Sequence, residues 1–115
     1  MRRLLQLGAD ADITVIEGAM GFYDGLESGD ACSAYSLAKH TGTPVVLVVD
    51  AAGSAASAAA SALGFLKYRP DHTIAAALVN RVSGERHFER VRDALAAIGL
   101  PCVGWLPKEI GRAHV

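Results

Sequence analysis

Glu17 and Asp24 stand seven residues apart in the stretch Val15-Ile-Glu-Gly-Ala-Met-Gly-Phe-Tyr-Asp-Gly25, with Gly18, Gly21 and Gly25 around them. An unpaired carboxylate at the end of an apolar strand is expensive and calls for a partner, a metal or water. Glu17 can therefore be a Mg²⁺ ligand beside phosphates, since Mg²⁺ prefers hard oxygen ligands, or an acid held by a cap or an ion pair. Asp24 can orient a substrate or polarise an incoming amine; Asp-Gly is also a common turn pair. Gly18 and Gly21 permit close approach of backbone to a ligand, or a positive φ in a turn.

Other groups carry weaker signals. Asp50 follows the apolar run Pro44-Val-Val-Leu-Val-Val. It can face a nucleotide or cap the next helix, and the cap is the preferred reading. Asn80 can donate to and accept from an adenine edge, or serve as a turn residue. His40, His72, His87 and His114 have no ligand spacing and are expected to face solvent. Trp105 is expected in the core, and Arg86, Arg90 and Arg92 on a solvated face. Cys32 and Cys102 lack metal or redox spacing and read as buried thiols of a cytosolic protein.

These groups need elements to position them. Arg2 to Leu7 reads as the end of a helix stopped by Gly8. Ile13 to Ile16 is β-branched and continuous, the pattern of a strand buried on both faces. Asp30 can cap a helix over about 31–40, ended by Gly42 and Pro44. Residues 44–50 predict a strand, 55–68 an Ala-rich helix broken before Pro70, and 73–80 another strand. Ser83 or Gly84 opens an amphipathic helix with Phe88, Val91, Leu95 and Ile98 on one stripe, closed by Gly99. Residues 101–106 predict a fourth strand, and Lys108 to Val115 show no periodic pattern.

Strands alternating with helices through short connections imply an α/β fold, a parallel sheet with flanking helices. Ligands of such sheets lie beyond the carboxyl ends of the strands. That rule sets Glu17, Asp24, Asp50 and Asn80 on one rim. The chain has 115 residues and a net charge of −1, enough for one domain and without a basic stripe for nucleic acid. Ala51 to Leu66 is uncharged but too short and too weakly apolar to span a bilayer, and no secretory signal is present. There is no internal repeat. A G-x-x-x-x-G-K-[ST] phosphate loop is absent from the chain.

The stretch from Val15 to Gly25 resembles the E-G-x-M-G-[LF]-[YF]-D-G signature of the cobyrinic acid a,c-diamide synthases. Ser33-Ala-Tyr-Ser-Leu-Ala-Lys, Pro44-Val-Val-Leu-Val-Val-Asp-Ala, Ser57 to Phe65, Ala77-Leu-Val-Asn-Arg-Val and Gly104-Trp-Leu-Pro107 resemble that family's ATP-binding domain, in the same order. The likeness covers about residues 5 to 108. It implies a partial P-loop NTPase-like domain of the dethiobiotin synthetase type over residues 1–110, with 111–115 as an unstructured tail. It also implies a cytoplasmic ligase that uses ATP and Mg²⁺. A corrinoid side-chain carboxylate would be phosphorylated, and glutamine-derived ammonia would displace the phosphate. Carried over by position, Glu17 binds Mg²⁺ and holds the phosphates, and Gly18 lies beside the nucleotide. Asp24 acts at the acyl-transfer site, Asn80 reads the adenine and Pro107 lines the base pocket.

The family's phosphate-loop strand and helix, and its glutaminase domain with nucleophilic Cys and His, have no counterpart in these residues. The expectation is a fragment that by itself neither hydrolyses glutamine nor makes the diamide, and that self-associates through exposed apolar sheet. A nickel-sirohydrochlorin a,c-diamide synthase shares the loop signature and is the rival within the enzyme class. A degenerate regulatory module of the partitioning-ATPase type is the rival outside it. No nucleic-acid or membrane partner is expected.

Overall fold

Three apolar runs become strands: β1 (Val45–Asp50), β2 (Ile74–Val82) and β3 (Cys102–Pro107). All pairings are parallel, in the order β1-β2-β3. The computed structural model describes residues 12–25 and 32–108. Within these, the helices are α1 (Ala34–Thr41), α2 (Ala56–Tyr68) and α3 (Glu85–Ala97). Parallel neighbours cannot be joined by a hairpin; each needs a crossover. Helix α2 supplies it between β1 and β2, and α3 between β2 and β3. The α/β fold with a parallel sheet is therefore as expected, with strand and helix boundaries within two residues of expectation from β1 to α3.

The chain divides into two compact units, Met1–Thr43 and Pro44–Val115. In the second, Leu47 and Val49 of β1, Ala77 and Val79 of β2, and Val91 and Leu95 of α3 are buried. Ala58, Ala59 and Ala62 give α2 a small-residue face that lets its backbone lie close to β1 and α3. Burying a side chain the size of Leu95 stabilises the fold by about 1.5–3 kcal/mol. Val91 and Leu95 lie four apart, on the stripe that the heptad-like spacing marks.

The continuous apolar composition of β1 predicts burial on both faces. Only one face is covered: Val46 and Val48 are 53 % and 60 % exposed, whereas Leu47 and Val49 are buried. Strand side chains alternate between faces, and α2 and α3 cover the face that carries Leu47 and Val49.

Two expectations in the first unit are corrected. Ser33 caps α1: its Oγ accepts from the Ser36 N–H at 3.1 Å, and the helix starts at Ala34 rather than near residue 31. Ser33 is buried, so this bond satisfies a hydroxyl that would otherwise be costly to bury. At the other end Gly42, at φ 67°, turns its N–H back to the carbonyls of Ala38 and Lys39, a left-handed closure that favours glycine.

The second correction concerns Ile13 to Ile16. This segment joins no strand ladder, and Ile13 and Val15 are 81 % and 86 % exposed. β-branched residues favour strands chiefly through neighbours on the pleated surface, and the segment has no ladder partner within its own unit among the described residues. Asp30, the helix expected over Arg2 to Leu7 with Gly8, and the tail beyond Lys108 lie outside the described residues.

Candidate functional site

The acidic loop is tied to α1. The Asp24 N–H donates to the Gly21 carbonyl at 2.9 Å, closing a four-residue turn, and the Tyr35 N–H donates to the Phe22 carbonyl at 3.0 Å. Phe22, Tyr23 and Tyr35 form a ring cluster with centroids 4.8, 5.2 and 6.1 Å apart. Edge-on and tilted aromatic pairs of this kind hold about 0.5–1.5 kcal/mol each beyond area burial. Tyr35 is the buried anchor, so the helix fixes the loop through one ring and one backbone bond.

That turn sets the surroundings of Gly21. A Cβ at Gly21 would meet Oδ2 of Asp24 and lie 3.3 Å from its Cγ, so a side chain there would require the exposed Asp24 carboxylate to turn away. At Gly18 a Cβ would sit 3.4 Å from the Ala34 Cβ, ordinary contact with the first residue of α1.

Glu17 is exposed rather than buried, because the segment before it is not covered. Its carboxylate makes no hydrogen bond or ion pair among the described residues, and neither does that of Asp24. The reading of Glu17 as a capped or salt-bridged acid therefore finds no partner in these residues. The turn reading of Asp24 holds for its backbone and leaves its carboxylate open. Cys32, expected to be buried, is exposed at φ 65°. Cys102 is half-buried, and burial pushes its thiol up.

The second unit builds a rim from the carboxyl ends of its strands. Asp50 and Asn80 are register partners. The ladder shifts between Val79 and Val82, and Arg81 adopts φ 60°. A local bulge of this sort re-aims a side chain. Here it brings Arg81 to Asp50, with Nε to Oδ1 at 3.0 Å and Nη2 to Oδ2 at 2.8 Å. Asp50 Oδ1 also accepts from the Ala52 N–H at 3.0 Å. Asp50 was expected to cap the following helix; it caps the turn before it instead, and Ala55 starts α2 without a side-chain cap.

Asn80 turns its own oxygen to the Arg81 N–H at 2.9 Å, leaving its amide nitrogen without a hydrogen bond among the described residues. Pro107 is exposed at the end of β3, paired in register with Val82. The structure thus puts Asp50, Asn80 and Pro107 at strand ends of one sheet. Glu17 and Asp24 belong to the first unit.

The bidentate Arg81 guanidinium holds the Asp50 carboxyl below the ordinary aspartate range, helped by the Ala52 N–H. A depressed folded-state pKa contributes stability above the unfolded value, lost as pH falls through the folded one. Both side chains face solvent, at 51 % and 60 % exposure, so the pair is worth little in stability and serves position. Carboxyl-carbon NMR titration is expected to give Asp50 a midpoint below the ordinary range, and Arg81→Gln to move it upward. An unchanged midpoint in the variant would remove Arg81 as the cause.

Sequence reasoning missed the histidines. His72 Nδ1 accepts from the Ile74 N–H at 3.0 Å, ordering the entry to β2. His87 Nδ1 accepts from the Ser83 N–H at 3.0 Å, and its Nε2–H donates to the Ser54 carbonyl at 2.6 Å. Neither is simply solvent-facing; both are half-buried. Trp105, expected in the core, is half-buried and stacks on Phe88 at 5.8 Å. No group of three or more metal-ligating side chains occurs among the described residues. None of their helices is long and apolar enough to cross a membrane.

A parallel sheet flanked by helices, with polar groups at its carboxyl rim, is the frame of a P-loop NTPase-like nucleotide domain. The chain belongs to the family described as AAA domain, whose model matches residues 1–111. It is similar to the cobyrinate a,c-diamide synthase of Listeria monocytogenes serotype 4b (strain F2365), 46 % identical over 103 residues, covering 88 % of this chain and 23 % of the relative. The enzyme of the same name from Streptococcus sanguinis (strain SK36) is 43 % identical over 101 residues, 86 % of this chain and 22 % of the relative. A hydrogenobyrinate a,c-diamide synthase of Mesorhizobium japonicum (strain LMG 29417 / CECT 9101 / MAFF 303099) is 45 % identical over 101 residues, 86 % of this chain and 23 % of the relative. The chain thus spans somewhat under a quarter of the length of these relatives. No solved structure matches it at comparable significance.

Proposed function

We propose that this chain is part of an ATP-dependent ligase that amidates side-chain carboxylates of a corrinoid. The observation that carries the reading is the Glu17 to Gly25 loop, held open on α1, in a chain 43–46 % identical to a,c-diamide synthases from three organisms. In the proposed reaction a carboxylate oxygen attacks the terminal phosphorus of ATP. ADP leaves and an acyl phosphate forms. Ammonia released from glutamine then attacks the acyl carbon, phosphate departs and a proton is lost, leaving the amide.

The residues present fit a hard cation. Glu17 offers an exposed carboxylate with no partner among the described residues, and Mg²⁺ commonly takes only one or two carboxylates beside phosphate and water oxygens. Bound there, Mg²⁺ would neutralise charge on the phosphates. Asp24, whose carboxylate has no partner among the described residues, is suited to accept a hydrogen bond from the incoming amine. The Asn80 amide nitrogen would donate to an acceptor nitrogen of adenine, its oxygen being committed to Arg81. Pro107 would pack against the base, and Gly18 would let phosphate oxygens approach the backbone. Such a biosynthetic ligase would work in the cytoplasm.

Self-association is also proposed, on the exposed Val46 and Val48 of the uncovered face of β1, since contiguous exposed apolar surface marks contacts with other chains. Sedimentation is expected to show mass rising with concentration, and a constant monomer mass would remove the idea.

The test of the activity is a chimera. Residues 5–108 replace the matching span of the Listeria monocytogenes synthase, and ATP- and glutamine-dependent diamide formation is assayed. Formation of diamide is the expected outcome. A folded chimera that consumes no ATP in the presence of cobyrinate would defeat the proposal.

A further inference from the structure

Between the turn after β1, the end of β2 and the start of α3 lies an open cavity of about 640 Å³. Its lining includes Arg81, Ser83, Arg86, His87, Arg90 and Lys108, and no carboxylate. Arg81 is committed to Asp50. His87 is committed at both ring nitrogens, to Ser83 and to Ser54. That histidine staples the β1–α2 turn to the start of α3 and so fixes two walls of the cavity. Lys108 is placed by its own backbone, whose N–H donates to the Val82 carbonyl at 3.0 Å.

The remaining cations, Arg86, Arg90 and Lys108, form no ion pair among the described residues. Arg86 and Arg90 are four apart on α3, neighbours on one face, where like charges destabilise a helix. Arg86 also lies in the first turn of the helix, where a basic side chain works against the helix dipole. A sequence that breaks two local rules at one place, beside a cavity whose walls His87 ties together, has reason to hold an anion there.

We infer that Arg86, Arg90 and Lys108 form a seat for an oxyanion group, phosphate or carboxylate, of a polyanionic small molecule. Guanidinium groups bind such planar or tetrahedral oxyanions through paired N–H donors. The inference does not depend on the amidation chemistry and is tested without it.

The test is calorimetric titration of the 115-residue chain at low ionic strength with sodium tripolyphosphate and, separately, with citrate. Saturable binding of at least one probe is expected, weakening as salt rises. The double variant Arg86→Gln/Arg90→Gln is expected to lose at least about tenfold in affinity. Arg92→Gln, on the same helix but outside the cavity lining, is expected to leave it unchanged. Lys108→Gln, at the exposed end of β3, is expected to lose about threefold and decides the matter if the double variant does not fold. Tighter tripolyphosphate than citrate assigns the seat to a phosphate, and the reverse assigns it to a carboxylate. Absence of saturable binding by both probes, or an equal loss in Arg92→Gln, would overturn the inference.

Discussion

In the chimeric synthase, Glu17→Gln is expected to lower the rate of diamide formation by about 10²–10³, the usual cost of deleting one electrostatic group that acts on developing charge. The substitution preserves size and hydrogen-bonding reach and removes only the charge. Because Glu17 is exposed and unpartnered among the described residues, no buried ion pair is broken and the fold should be unaffected. A loss of turnover therefore reads on chemistry. If Glu17 holds Mg²⁺, the variant should also need more Mg²⁺ for half-maximal rate, and that second readout separates a cation ligand from a group that merely shapes the loop. Unchanged turnover at limiting Mg²⁺ would exclude Glu17 from the site.

The second large effect is on stability. Leu95→Ala is expected to cost about 2–5 kcal/mol, the range for buried leucines whose cavity cannot fully collapse. Leu95 is fully buried on α3, as are Val79 and Val82 of β2. The same change at Leu63 of α2, which is 37 % exposed, should cost under about 1 kcal/mol. Urea denaturation of both variants measures the contrast, and similar midpoints would show that α3 is not the core helix. The consequence reaches the rim: α3 carries Arg86, His87 and Arg90, so a shift of its packing displaces all three together.

How legible each part was follows from how local its cause is. The three parallel strands and the helices between them were readable because apolar runs and periodic stripes are short-range signals. The Val91–Leu95 stripe points inward in the structure as its spacing implies. Ile13 to Ile16 misled, since a β-branched run only reports what a strand would bury, whereas a ladder needs a partner. Ser33 and Asp30 are both good caps by type, and only the start of α1 decided between them. The loop of Glu17 and Asp24 was visible by motif. The approach of the Asp24 carboxylate to Gly21 was not, since it arises from the fold of the turn over itself.

Residue type and order were enough for an α/β domain, its parallel crossovers, an acidic glycine loop, and membership of a recognisable family. Those depend on residue type and spacing along the chain. What the charged side chains meet came from the folded arrangement. Asp50 and Arg81 are 31 residues apart and become a bidentate pair, and His87 reaches Ser54 across 33. Arg86 and Arg90, a solvated face by pattern, open on a cavity with Lys108. Electrostatic pairing depends on distance in space, which the crossovers set and the linear pattern does not contain.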